Sequence, residues 1–135
     1  HNLNYWQFGD YLGIGAGAHQ RVLRDGRIQA SRRHRAPEEW LRLVEAQGHA
    51  AVECETLSPQ EVGREAMLMG LRLTEGIDPS RIEARAGLSF AEVIDPTMLT
   101  ACLEENYLLW SENNRLCATD EGLLRLDSML PLLLR

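Results

Sequence analysis

Lysine is missing from this chain. All 14 basic residues among its 135 are arginine, which reads as coding bias and carries no chemistry. Twenty acidic residues outnumber them, for a net charge of −6, and that balance argues against general nucleic-acid binding, which needs a basic face. Long apolar runs are missing too. None approaches the roughly 18 residues that a membrane-spanning helix requires. Cysteine is sparse: Cys54, Cys102 and Cys117 are odd in number, far apart and without a CxxC or CxxxCxxC spacing. That scatter argues against a structural zinc or iron–sulfur site built from this chain, and favours small apolar thiols in a reducing cytosol. The four histidines show no HxxxH or HxH spacing. The opening residues carry neither a basic n-region nor an apolar h-region, so they do not read as a signal peptide.

Hydrophobic residues make up 44% of the chain, enough for a core in one ordinary domain, or a small domain with an arm. Proline does most of the punctuation. Ser58-Pro59-Gln60-Glu61 predicts a helix start with a capping box. Asp78-Pro79 and Asp95-Pro96 repeat an acidic cap before proline, and Pro37 with Glu38 and Glu39 opens another helix. From Pro59, Val62, Ala66, Met69 and Leu73 recur at helical spacing, with Leu68 and Leu71 beside them and Gly76 as the stop. Trp40, Leu41, Val44 and Ala46 line the helix after Pro37, which ends at Gly48. Leu99, Cys102, Leu103 and Tyr107 line the one after Pro96. Two short apolar runs, Tyr107 to Ser111 and Leu116 to Thr119, flank an Asn-rich turn and predict a β-hairpin. A last helix, capped near Thr119 or Asp120, carries Leu123, Leu124, Leu126 and Leu130, and Pro131 should kink or end it. Tyr11 to Gly15 reads as a buried strand. Asp25-Gly26 reads as a hairpin turn between Val22-Leu23 and Ile28-Gln29.

The fold class expected is α+β, mainly α. A strand arm precedes a helical, winged-helix-like domain with one β-hairpin, divided as residues 1–36 and 37–135.

Two segments carry a resemblance. His1-Asn2-Leu3-Asn4-Tyr5-Trp6 and Gly9-Asp10-Tyr11-Leu12-Gly13-Ile14-Gly15-Ala16-Gly17-Ala18-His19 resemble the HNxxYW and GIGxGAH segments of the HemW family. Those are radical SAM proteins related to oxygen-independent coproporphyrinogen III oxidase and described as heme chaperones. The likeness continues through Ala66 to Leu73 into the hairpin and the leucine-rich last helix. It implies that the chain is the C-terminal part of a longer cytoplasmic protein linked to porphyrin chemistry. The arm would be the last strand of a partial β/α barrel. The [4Fe–4S] cluster and S-adenosylmethionine would be held by an N-terminal CxxxCxxC segment that this sequence does not contain, so no catalytic residue is expected in it.

His1 and Tyr5 are four apart and share a face in either a helix or a strand. A neutral imidazole can ligate heme iron and an aromatic ring can pack on a porphyrin; a histidine hydrogen-bonded inside a barrel end is the plain alternative. The resemblance assigns heme to His1, with Tyr5 beside it, and implies that the backbone from Gly15 through Ala16 and Gly17 to Ala18 lies near S-adenosylmethionine. By itself the GxGxG there is weak, because it opens no βαβ unit with a downstream acid. Asn2 and Asn4 suit satisfying backbone groups, and Trp6 suits the core. Ser31-Arg32-Arg33-His34-Arg35 is the one basic run. It reads either as a clamp for heme propionates or as a solvated linker.

The expected partners are heme, the N-terminal barrel, heme-accepting proteins and a second copy through the N-terminal arm, with no nucleic acid and no membrane span. The alternatives are the C-terminal part of a coproporphyrinogen III oxidase, and a winged-helix nucleic-acid module. Only Arg81 and Arg85 would serve a recognition helix in the latter.

Overall fold

A computed structural model describes residues 2–135, which fall into two compact units, residues 9–57 with 3–5 and residues 58–135 with 2 and 6–8.

The first unit is built on a three-stranded antiparallel sheet of order β1-β2-β3, formed by β1 (His19–Arg24), β2 (Arg27–Arg33) and β3 (Ala51–Thr56). Asp25 and Gly26 form the tight turn with φ of 51° and 75°. Positive φ at both central residues matches the twist of the strands it joins, and Arg24 pairs with Arg27 as the turn predicts. Helix α1 (Asn2–Trp6) precedes the sheet in the chain, and α2 (Pro37–Gln47) runs from Pro37 to a left-handed cap at Gly48, whose N–H meets the Val44 carbonyl. Strand β3 carries no sequence signal of its own. Its AVECET is exposed almost throughout, so hydrophobic alternation has nothing to report there. The basic run is no solvated linker: residues 31–33 are the end of β2, with a register shift between Arg32 and Arg33.

Tyr11 to Gly15 is a second departure. Only Tyr11 joins a ladder, exchanging hydrogen bonds of 2.8 and 3.1 Å with Arg21. Leu12 and Ile14 are 70% and 87% exposed, so the stretch is a loop. Gly13 accounts for this in part. A Cβ there would stand 2.5 Å from the His19 carbonyl oxygen, so the backbone turns close against β1 without continuing alongside it.

The second unit follows the expected order of helices, hairpin and final helix: α3 (Pro59–Gly70), α4 (Pro79–Ala86), α5 (Phe90–Val93), α6 (Pro96–Glu104), β4 (Leu108–Trp110), β5 (Leu116–Ala118) and α7 (Asp120–Leu133). Its core holds Met67, Leu71, Val93, Leu108, Leu116, Leu130 and Leu133, each under 2% exposed. In α3 the buried face is Val62, Gly63, Ala66, Met67 and Gly70. Met67, not Met69, is the methionine that packs, and the helix ends at Gly70, before Gly76. Two glycines open the face to neighbours, since Cβ atoms at Gly63 and Gly70 would stand 2.6 and 2.7 Å from Val93 and Ile77. Pro131 does not end α7, which runs to Leu133. The carbonyl it leaves without a helical donor is that of Asp127, on the exposed face, where water can serve it.

Phe8 has φ of 54°, a left-handed conformation that costs a bulky residue about 1–3 kcal/mol. Its ring is 3% exposed, and that burial offsets the strain.

Ser58 and Ser89 both close capping boxes, with Glu61 and Glu92. The second is encoded in Ser89-Phe90-Ala91-Glu92. Hydrogen bonds from the Ser58 backbone N–H and hydroxyl hold Glu61 below the usual carboxylate range, and the Ser89 hydroxyl and N–H do the same for Glu92. Folding lowers both values, so the stabilisation is complete above the ordinary carboxylate range. It is lost as pH falls through the lowered values. The melting temperature of E61Q/E92Q is therefore expected to fall less than that of the natural chain between neutral pH and about pH 3. Parallel curves in a thermal melt followed by circular dichroism would refute this.

Candidate functional site

Helix α1 is short and stands on local bonds. The Asn4 carbonyl accepts from the Gly9 N–H at 2.8 Å, and the Asn4 amide donates to the Asp10 carbonyl at 2.9 Å. The asparagine thus satisfies backbone, as its residue type suggested. Leu3, Tyr5 and Trp6 are 51%, 39% and 36% exposed, so Trp6 is not the core residue it was expected to be. The Tyr5 ring lies edge-on to Tyr11, with centroids 4.9 Å apart, a favourable aromatic geometry that holds one face of Tyr5 while leaving area accessible. His1 lies outside the described residues.

The glycine loop is fixed at its C-terminal end by two bonds to the chain around the end of β2. Gly17 N–H donates to the His34 carbonyl at 2.8 Å, and Arg33 N–H donates to the Ala18 carbonyl at 2.9 Å. Gly15 and Gly17 take φ of 94° and 72°, which only glycine adopts without strain. Ala16 is exposed, and a Cβ on Gly15 would meet nothing within 4 Å. The loop therefore leaves the backbone accessible at Gly15 and Ala16, while Gly17 and Ala18 are hydrogen-bonded to the end of β2 and the residue after it.

Sequence reasoning missed what holds the other side of this loop. Arg33 Nε donates to the Gly13 carbonyl at 3.2 Å, and its terminal nitrogen donates to Gln20 Oε1 at 3.1 Å; the same Gln20 oxygen accepts from Gly13 N–H at 3.4 Å. Arg32 is ion-paired with Glu53 at 2.6 Å. These two arginines are thus occupied within the sheet, which counts against Ser31 to Arg35 as a propionate clamp. The spacing could not show this, because Gly13 and Arg33 meet only through the β1–β2 register.

The cysteines do not converge. Cys54 is exposed on β3, while Cys102 and Cys117 are buried in the second unit, and burial pushes the Cys102 thiol up from its usual value. Among the described residues no group of three or more His, Cys, Asp or Glu is placed to hold a metal ion. These thiols do not fit an iron–sulfur cluster. Among the described residues no helix is long and apolar enough to cross a membrane.

The second unit is a mixed module of helices, one hairpin and a last helix, preceded in the chain by an aromatic helix and a glycine loop. The HemN C-terminal domain profile matches residues 57–125. The chain belongs to the HemN C-terminal domain family. It is 36% identical over 140 residues to the heme chaperone HemW of Escherichia coli, covering 99% of this chain and 34% of that protein. It is 34% identical over 139 residues to the mitochondrial radical S-adenosyl methionine domain-containing protein 1 of Mus musculus, covering 99% of this chain and 31% of that protein. Among solved structures, coproporphyrinogen III oxidase HemN of Escherichia coli, titled a radical SAM enzyme, matches with a TM-score of 0.62 at 20% identity, over 91% of this chain and 28% of its own. The chain spans about a third of the length of these curated relatives. The resemblance read from the HNxxYW and GIGxGAH segments is thereby borne out.

Proposed function

We propose that this chain is the heme-binding C-terminal part of a HemW-like chaperone that passes heme to acceptor proteins, with His1 as iron ligand and Tyr5 packing on the ring. The observation that carries this reading is the accessible Tyr5 ring, braced by Tyr11 on a helix whose Leu3, Tyr5 and Trp6 are all exposed. Exposed aromatics at that density on so short a helix suit a flat apolar ligand better than a core. The similarity to HemW along nearly the whole chain supports the same reading. In the parent protein the Gly15 to Ala18 backbone would contact S-adenosylmethionine, whose radical chemistry rests on a cluster held elsewhere. A cytoplasmic setting belongs to the same proposal.

A hemin titration tests the proposal. The natural chain is expected to give a shifted Soret band, His1→Ala to abolish the shift, and Tyr5→Ala to weaken binding by about tenfold, the equivalent of one lost aromatic contact of roughly 1.4 kcal/mol. An identical Soret band and affinity in His1→Ala would remove His1 from the site.

A further inference from the structure

The sheet of the first unit ends on an open edge. Strand β3 pairs with β2 on one side only, and from Val52 to Thr56 it is exposed. The Leu57 N–H donates to the Ile28 carbonyl at 2.9 Å, and backbone direction alternates along an antiparallel strand. The N–H and carbonyl groups of Cys54 and Thr56 therefore point away from β2. Among the described residues these outward groups have no hydrogen-bond partner. Open edges are commonly blunted by proline, lysine, a bulge or a covering element. Here the register shift falls at Val52, so the edge from Glu53 to Thr56 stays regular.

Charge is spread unevenly over the two faces of this edge. Side chains alternate along a strand, which puts Glu53 and Glu55 on one face and Cys54 and Thr56 on the other. Glu53 is ion-paired with Arg32 at 2.6 Å. Glu55 is exposed, and its carboxylate makes no ion pair or hydrogen bond among the described residues. The basic groups of the same face, His19, Arg21 and Arg32, lie on β1 and β2, inward of the glutamates. The outermost row is acidic. Pairing with β3 of a second copy about Cys54 would set Glu53 of each copy against Glu55 of the other, and like charges directly opposite are destabilising. Basic side chains arriving on a neighbouring strand are complementary to that row.

We propose that the β3 edge takes an extended, arginine- or lysine-bearing segment of a partner protein as one more antiparallel strand. The sheet is antiparallel throughout, and the added strand continues that pattern. The Cys54 and Thr56 backbone supplies the ladder bonds. Glu55, with Glu53 beside it, selects basic side chains at alternate positions of the incoming strand. In this mode main-chain bonds give affinity and alternating side chains give specificity. The edge uses none of the residues assigned to heme, so the proposal stands apart from that reading.

The test titrates the isotope-labelled whole chain with a blocked seven-residue peptide and follows the amide resonances. Arginine occupies its second, fourth and sixth positions, with threonine or valine between. The largest shifts are expected at the Cys54 and Thr56 amides. A peptide with glutamate in place of arginine should bind about tenfold more weakly. Glu55→Arg should reverse that preference while leaving the melting temperature unchanged. Opposite Glu53 and Glu55, the arginine N–H groups of an antiparallel strand face away from β3. Methylating those nitrogens should therefore change affinity by no more than about twofold, whereas methylating the threonine and valine nitrogens should abolish binding. Shifts confined to other residues, equal affinity for the two charge forms, or the opposite methylation pattern overturns the proposal. So does pairing of β3 with a second copy in the absence of peptide, or no binding up to millimolar peptide.

Discussion

Leu116→Ala is expected to destabilise the folded chain by about 2–5 kcal/mol, the range for truncating a fully buried leucine. Leu116 is 0% exposed. Its backbone is held on both sides: it pairs with Trp110 across the hairpin and exchanges bonds of 2.8 and 2.9 Å with Ile77 on the other edge. A strand pinned in this way cannot slide to fill the space left by the lost methyls, so the cavity term is retained and the effect should fall in the upper part of the range. Leu124→Ala serves as the control. That residue is 82% exposed, and its truncation should change stability by no more than about 0.5 kcal/mol. Urea unfolding of both variants at equal slope decides the matter. A Leu116 variant as stable as the control would mean that the hairpin is not part of the cooperative core.

Gly76→Ala is expected to cost a comparable amount by a different route. Gly76 has φ of 65°, and a Cβ there would lie inside contact distance of the Leu116 carbonyl and 2.5 Å from Cys117 Sγ. The left-handed conformation alone costs a non-glycine residue about 1–2 kcal/mol, and displacing β5 adds about 1–3 kcal/mol more. Gly48→Ala separates the two contributions. Gly48 has φ of 79° but nothing within 4 Å of its Cβ position, so it should lose only the conformational part. Equal losses in the two variants would show that β5 yields to the extra methyl without cost.

The glycine stop at position 76 shows where the sequence ran short. In the sequence, Gly76 suggests the end of the Pro59 helix, a local role. Its actual requirement is set by β5, forty residues on in the chain, and no local pattern reports that. Pro131 is the converse case: the rule that proline ends a helix is sound for the buried interior, but an exposed carbonyl one turn back, with water to serve it, relaxes the rule.

What the sequence determined by itself was everything encoded within about one turn. The caps at Ser58, Asp78, Asp95 and Thr119 all accept the backbone N–H groups expected of them. The Asp25-Gly26 turn and the hairpin from Leu108 to Ala118 follow from residue types whose φ preferences or side-chain oxygens act on near neighbours. The HNxxYW and GIGxGAH segments were equally legible, because a family likeness is carried by the order of residues and needs no geometry. Tertiary structure alone decided the rest. It set which methionine of α3 is buried, because Val93 and Ile77 press on its glycines. It turned the basic run into strand β2 and brought Arg33 to Gly13 through strand register. Each of these depends on groups distant in sequence meeting at a few ångströms, and such a distance is fixed only when the whole unit packs.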